Sequence, residues 1–318
     1  MKVVRVNPEP SLTKVAMLPA DITFFQRGWL SSNNVLLQDD QQAVLVDSGY
    51  WTHAQQTLDL LSSSLRGAPL TRLINTHLHS DHCGGNAHLQ GAFPQLHTCV
   101  PPGHASFVFD WDPAALTYTP TGQHCPQFVA HGVISAGDRF TVSSREWVAH
   151  AAPGHDPNSI ILFCEELGLL ISADALWENG FGVVFPEIEG IEAFDEVAIT
   201  LDLIESLNAK VVLPGHGGLF TDVAVALGNA RSRLLSFRQD PVKHANYAAK
   251  VLLKFKLLEL QRVDMDEFVC WAEACDYLRL LQTRYAAAMS FSDWTHAMCN
   301  ALEKSGAMRR EANQWVNM

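Results

Sequence analysis

The chain has no C-x-x-C pair, no internal repeat and no low-complexity tract. It also has no apolar run near the roughly 18 residues that a membrane span needs. The longest runs, Ile160–Cys164 and Leu167–Ile171, are split by Glu165 and Glu166 and read as strands. The opening MKVVRVNPEP is too short and too proline-broken for a secretory h-region, so a soluble cytoplasmic protein is expected. Seven cysteines, at 83, 99, 125, 164, 270, 275 and 299, are an odd number without a disulfide or zinc-ribbon spacing and read as reduced, mostly buried thiols. Cations are also scarce. Residues 1–230 carry nine Lys+Arg against 24 Asp+Glu, a formal −15, whereas residues 231–318 carry 13 against 10. An acidic body is a poor electrostatic match for a phosphate backbone, which disfavours nucleic acid as a partner.

Apolar material is ample. Hydrophobic residues make up 47% of the 318 and charged residues 18%, enough to bury a core and to exclude a disordered chain. Short strands are read at Ala43–Val46, Leu73-Ile74, Leu96–Val100, Phe140–Val142, Glu146–Ala151, Ile160–Cys164, Leu169–Ser172 and Val211–Leu213. Helical spacing marks Trp51 to Arg66, Gly84 to Gly91 and Phe194 to Leu207. This βα order followed by a strand-rich half implies stacked sheets with helices outside. Pro101 to Phe128 reads as irregular, with aromatic residues that either form a lid or pack on one another. After Phe220 the character becomes helical, with a cap at Thr221, a break at Asp240-Pro241 and a stripe at Ala248, Val251, Leu252 and Phe255. A capping box is read at Asp264 with Glu267, and a cap at Ser292. A boundary near residue 220 divides the chain into units 1–220 and 221–318.

Histidine carries the chemistry. Thr76-His77-Leu78-His79-Ser80-Asp81-His82-Cys83-Gly84-Gly85 places three imidazoles and a carboxylate within six residues. Residues two apart in an extended stretch face the same way, so His77 and His79 can grip one ion. A tight turn then aims Asp81 and His82 at a second. Pro153-Gly154-His155, Ser172-Ala173-Asp174 and Pro214-Gly215-His216-Gly217 each follow a strand and each offer one further ligand. Imidazoles with few carboxylates and no thiolate suit Zn²⁺, with Fe or Mn as competitors. Trp177, Phe181 and Phe185 either line an apolar pocket or pack in the core. Cys83 reads as a buried small residue beside the ligands.

In these runs the chain resembles the metallo-β-lactamase superfamily, over about residues 15–220. The resemblance rests on Asp47-Ser48-Gly49, THLHSDHCGG, PGH, the Asp174 turn and PGHG, in that order. It implies an αβ/βα four-layer sandwich, here followed by a mainly helical, winged-helix-like C-terminal subdomain. It implies that His77, His79 and His155 hold one divalent ion, that Asp81, His82 and His216 hold the other, and that Asp174 bridges them. Asp47 would support the metal loop, and Asp81 would also orient the bridging hydroxide that attacks the substrate. One departure stands out: the family's PGHTPGS is PGHDPNS here, so Asp156 brings a negative charge beside the site, and Asn158 is expected to supply the left-handed backbone that glycine would give. The implied activity is hydrolysis of a small ester, thioester or lactone with an apolar acyl group. The alternatives are a metal-dependent nuclease or phosphodiesterase, a glyoxalase-II-like thioesterase, and a non-catalytic ligand-binding regulator. For the tail, walling of the active site and formation of a homodimer both remain open.

Overall fold

The computed structural model describes residues 18–318. The first 17 residues, including the MKVVRVNPEP stretch and the start of the expected 1–220 unit, lie outside the described residues. The first sheet runs in sequence order: β1 (Ile22–Phe25), β2 (Asn34–Gln38), β3 (Ala43–Val46), β4 (Leu70–Ile74), β5 (His97–Val100) and β6 (Gly132–Val133). Its first three strands pair antiparallel and the rest parallel. The parallel connections are helical, through α1 (Ala54–Ser64), then α2 (Ser80–Cys83) and α3 (Asn86–Ala92), then α4 (Pro102–Asp110). The second sheet holds β7 (Arg139–Val142), β8 (Arg145–Ala151), β9 (Ile160–Cys164), β10 (Leu169–Ala173) and β11 (Val211–Pro214), with spatial order β11-β10-β9-β8-β7. Between β10 and β11 come α5 (Phe185–Glu189) and α6 (Phe194–Ser206). Then follow α7 (Val223–Gln239), α8 (Pro241–Leu260), β12 (Arg262–Asp264), α9 (Met265–Ala274), α10 (Asp276–Tyr285), α11 (Phe291–Lys304), β13 (Met308–Glu311) and β14 (Gln314–Asn317).

Side-chain alternation builds the layers. On β2, Val35 and Leu37 face the second sheet while Leu36 faces outward; on β9, Leu162 and Cys164 face inward while Ile161 and Phe163 face outward. Because successive residues of a strand point to opposite faces, both faces of both sheets must be covered. The inner faces meet in one core that includes Val46, Ile74, Trp147 and Ile171. Leu61 of α1 and Leu89 of α3 cover the outer face of the first sheet. Leu201 and Ile204 of α6, with Ala230 and Leu234 of α7, cover that of the second. The result is the expected four-layer sandwich. A separate core joins α8 to α11 and Trp315, and takes in Val183 from the loop after β10 and Ile188 from α5.

Several local readings are corrected. The supposedly irregular Pro101–Phe128 begins with α4, whose Pro102 occupies a first-turn position that needs no N–H partner. Its glycine and prolines hide the spacing of Ala105 and Val108, which bury against Leu78, Cys83 and Tyr118. The short helix expected over Gly84–Gly91 is α3, and a separate turn of helix, α2, precedes it. Helix α11 is capped by Ser290, not Ser292: Ser290 Oγ accepts from Asp293 N at 3.1 Å. Helix α7 begins after Asp222, without a side-chain cap from Thr221. Asp264 does cap α9, accepting from Asp266 N and Glu267 N. The strands β1 and β2 had not been anticipated.

Leu162 lies fully buried between the sheets, whereas Ile199 on α6 is 65% exposed. Leu162→Ala should therefore cost about 2–5 kcal/mol in urea unfolding followed by intrinsic fluorescence. Ile199→Ala should stay within about 0.5 kcal/mol.

Candidate metal centre

Five strand ends converge at one edge of the sandwich. Asp47 follows β3, His77 to His82 follow β4, His155 follows β8, Asp174 follows β10 and His216 follows β11. After β4 the chain bends at Thr76 and His77, and His79 is extended, with ψ 148°, at the start of α2. His77 and His79 face one side, while Leu78 is buried on the other among Val100 and Tyr118. Helix α2 then turns Asp81 and His82 towards the second sheet. Gly84 is required by close approach: a Cβ there would stand 2.4 Å from Ser80 O and 2.6 Å from Trp51 N. Gly215 is required for the same reason, since its Cβ would meet Asp174 Oδ1 at 2.2 Å. Ala173 adopts φ 46°, strained for a residue with a Cβ, at the irregularity in β10 that aims Asp174 inward.

The predicted side chains come together in two groups. In the first, His79 Nδ1 lies 3.1 Å from His77 Nε2 and 2.9 Å from His155 Nε2. In the second, His216 Nε2 and His82 Nε2 lie 3.0 and 3.8 Å from Asp81 Oδ2. Asp174 stands between them: Oδ1 is 3.4 Å from His82 Nε2, and Oδ2 is 3.5 Å from His155 Nε2 and 3.8 Å from His216 Nε2. Within each of the sets His77/His79/His155, Asp81/His82/His216 and His77/His82/Asp174, one donor atom per residue falls within 4.8 Å of the others. Such donor sets could hold a metal ion.

A further ring of contacts fixes which atoms point inward. His77 Nδ1 meets Thr76 Oγ1 at 3.1 Å, and His155 Nδ1 donates to Val183 O at 2.5 Å. Asp47, itself at φ 58°, accepts from Thr76 N, Thr76 Oγ1 and His82 Nδ1, each at 2.8 Å. Each bond leaves the opposite ring nitrogen to the cluster. Burial then sets the protonation states. It drives His77 and His155 below the ordinary imidazole range and His79 down to about 3, helped for His77 and His79 by neighbouring rings. These rings are neutral, with lone pairs free. Burial would also lower His82, but Asp174, Asp47 and Asp81 outweigh it and hold the ring well above its usual range. Burial would raise Asp81 and Asp174, but His82 and His216 outweigh it and hold both carboxyls low. His82 Nε2 is nonetheless buried without a hydrogen-bond partner, 3.4 Å from Asp174 Oδ1 and 3.8 Å from Asp81 Oδ2. A cation that takes the place of the ring proton would satisfy that orphaned atom, so the residues present fit a metal.

Asp156 does bring its charge to the site, with Oδ2 3.8 Å from His79 Nε2 and 3.9 Å from His104 Nδ1. Asn158 is not left-handed, however. Its N–H donates to Asp156 Oδ1 at 2.7 Å, so an aspartate turn does the work expected of a glycine substitute. Cys83 is buried against Tyr118 OH at 3.1 Å. Phe185 packs edge-on to His79, with centroids 4.7 Å apart, while Phe181 lies in the core against Phe237. His124 sits on Trp51, and His97 pairs with His131 away from the cluster.

Some important residues carried no sequence signal. Trp29, 56% exposed, stacks on His216 with centroids 5.3 Å apart and planes 3° apart. Trp177 Nε1 donates to Asp174 Oδ1 at 3.2 Å, a bond that pocket-or-core reasoning had not foreseen. Asn33 ties the two sheets at the site, its N–H donating to Gly215 O at 2.7 Å and its Nδ2 to Pro214 O and Gly217 O at 2.8 Å.

Comparison with known proteins agrees with this geometry. The chain is 28% identical over 228 residues to a hydroxyacylglutathione hydrolase of Xanthomonas campestris, covering 70% of this chain and 75% of that one. It is 23% identical over 192 residues to an atrochrysone carboxyl ACP thioesterase of Aspergillus fumigatus, covering 60% of this chain but only 52% of the thioesterase. A metallo-beta-lactamase family protein of Thermus thermophilus superposes with TM-score 0.53 at 21% identity, covering 93% of this chain and 98% of its own. The BLEG-1 B3 metallo-beta-lactamase superposes with TM-score 0.53 at 20% identity, covering 65% and 95%. The family model of the metallo-beta-lactamase superfamily matches residues 27–216, over half of the chain and all of the clustered His and Asp side chains, and the chain belongs to that superfamily.

Proposed function

We propose that the protein hydrolyses a small carboxylic ester, thioester or lactone with an apolar acyl group, using two divalent ions. The observation that carries this reading is the pair of buried three-donor groups with Asp174 between them. His77, His79 and His155 would hold one ion, Asp81, His82 and His216 the other, and Asp174 both. Nitrogen-rich donors without thiolate favour Zn²⁺ over Fe or Mn. Such ions would supply Lewis acidity and a water that loses its proton near neutral pH.

The protein's own groups do the rest. Asp81 opens to the cavity and holds the attacking water. Asp47 and Thr76 keep His82 and His77 in the tautomers that present Nε2, and Val183 O does so for His155. Trp29 and Trp177 shield His216 and the Asp174 carboxylate from bulk water. Residues 1–220 carry this chemistry in our reading, and 221–318 wall the cavity. The names of the relatives, a thioesterase and a hydroxyacylglutathione hydrolase, support the thioester within the proposed class.

Protein purified without chelator should contain about two transition-metal ions per chain by elemental analysis, and chelation should abolish esterase and thioesterase turnover. A metal-free, fully active preparation would refute the reading. Asp81→Ala and His216→Ala should each lower metal content and cut kcat by at least about 100-fold in a panel of aryl esters, acyl thioesters and lactones. Asp47→Asn should weaken metal affinity or activity by about 10–100-fold, measured by competition with a chromophoric chelator. Full affinity and activity in that variant would show that the Asp47–His82 bond is dispensable.

A further inference from the structure

Among the described residues, one buried histidine lies outside the cluster: His244, 3% exposed, in the first turn of α8. The chemistry set out above makes no use of it. It packs edge-on to Phe237 of α7 and Phe194 of α6, with centroids 5.1 and 5.3 Å away. Burial in these apolar surroundings pushes its pKa down to about 4, so the ring is neutral at neutral pH. Its Nε2 accepts a hydrogen bond from Val184 N at 3.1 Å, which puts the ring proton on Nδ1.

Val184 N belongs to the same peptide unit as Val183 O, the oxygen that accepts from His155 Nδ1. A trans peptide is planar, with its N–H and C=O pointing to opposite sides, so one rigid group reaches from His244 on α8 to His155 in the turn after β8. The segment is pinned on both sides of that group. Phe185 N donates to His155 O at 3.2 Å, and Gly182 N donates to Asp174 O at 3.0 Å. Gly182 passes so near the imidazole that a Cβ there would stand 2.3 Å from His155 Nδ1. Further along, Arg284 of α10 donates to Ile188 O at 2.9 Å, and Tyr277 OH donates to the Glu189 carboxylate. Residues 182–189 are therefore fastened to the cluster on one side and to the C-terminal helices on the other.

We propose that His244 is a positioning residue for His155, acting through the Val183–Val184 peptide. His244 sets the plane of that peptide. The plane sets the direction of the oxygen that orients the His155 ring and keeps its proton on Nδ1. The bonds run in one sense, from His155 Nδ1–H to Val183 O and from Val184 N–H to His244 Nε2, so each polarises the next and makes Val183 O the stronger acceptor. His155 Nε2 gains basicity towards a metal ion in turn. The C-terminal helices thereby help to hold a ring of the cluster without supplying a ligand. The consequence for metal affinity rests on the two-ion reading above, whereas the relay between the two imidazoles does not.

Heteronuclear NMR of the metal-free, histidine-labelled wild-type chain tests the relay directly. His244 should be neutral with a bare Nε2, and a proton on Nε2 overturns the proposal. Two variants extend the test. His244→Phe suits the aromatic surroundings but has no acceptor, whereas His244→Gln offers an amide oxygen. The His155 Nδ1–H resonance, identified by its loss in His155→Gln, should move upfield in the Phe variant and return towards its wild-type position in the Gln variant. In zinc titrations against a chromophoric chelator, His244→Phe should weaken one of the two binding steps about tenfold, and His244→Gln should recover most of that loss. An unmoved His155 proton overturns the proposal. Should His244→Phe not fold, the wild-type tautomer of His244 and the Gln variant decide. A His155 proton that moves as expected in a chain that binds no zinc would leave the relay standing and remove the two-ion reading. Two zinc ions bound equally tightly by wild type and His244→Phe would keep that reading and remove the role of His244.

Discussion

Everything in this site depends on keeping five imidazoles and two carboxylates buried together. Polar groups taken from water must find partners, and charges this close must be compensated by opposite ones. The protein meets both demands by separating the charges. His77, His79 and His155 are driven neutral by burial and by one another, while His82 is held against Asp47, Asp81 and Asp174. What remains, a buried His82 Nε2 without a hydrogen-bond partner between two carboxylates, is an arrangement that a cation in place of the ring proton completes.

The sandwich supplies the rigidity. Four of the five contributing turns leave strands that end buried, at Val46, Ile74, Ala173 and Pro214, so these turns cannot drift apart without disturbing the core between the sheets. Bonds from Asp47, Thr76 and Val183 then orient the rings within those turns. Asn33, just before β2, reaches across to the turn after β11, coupling the first sheet to the segment that carries His216. The strained backbone at Asp47 and Ala173 marks where this scaffold bends to bring carboxylates inward.

The helical C-terminal region faces the cluster across a cavity rather than contributing ligands to it. Its α8 divides its labour by face, with one side in the helical core and the other on the cavity. The sequence stripe at Ala248, Val251, Leu252 and Phe255 therefore spans two environments, since Ala248 packs in the core whereas Val251 and Phe255 look onto the cavity. Segment 117–123 is held against this region through Pro120 O, which accepts from Tyr277 N, so the aromatic-rich stretch is packed into place between the two halves.

Local order in the chain was enough to identify the cluster and the four layers. Asp47, the His77–His82 run, His155, Asp174 and His216 each sit in a strand-to-turn pattern, and strand alternation determines which faces must be covered. These features repeat over two to four residues and are written along the sequence. Trp29 on His216, Trp177 on Asp174 and Asn33 between the sheets were not legible there. They depend on contacts between segments far apart in the chain, and no spacing rule encodes how two distant turns meet. Asn158 departs from its expected left-handed backbone for a related reason: its N–H is held by the Asp156 side chain, and only the folded geometry shows that this turn is used.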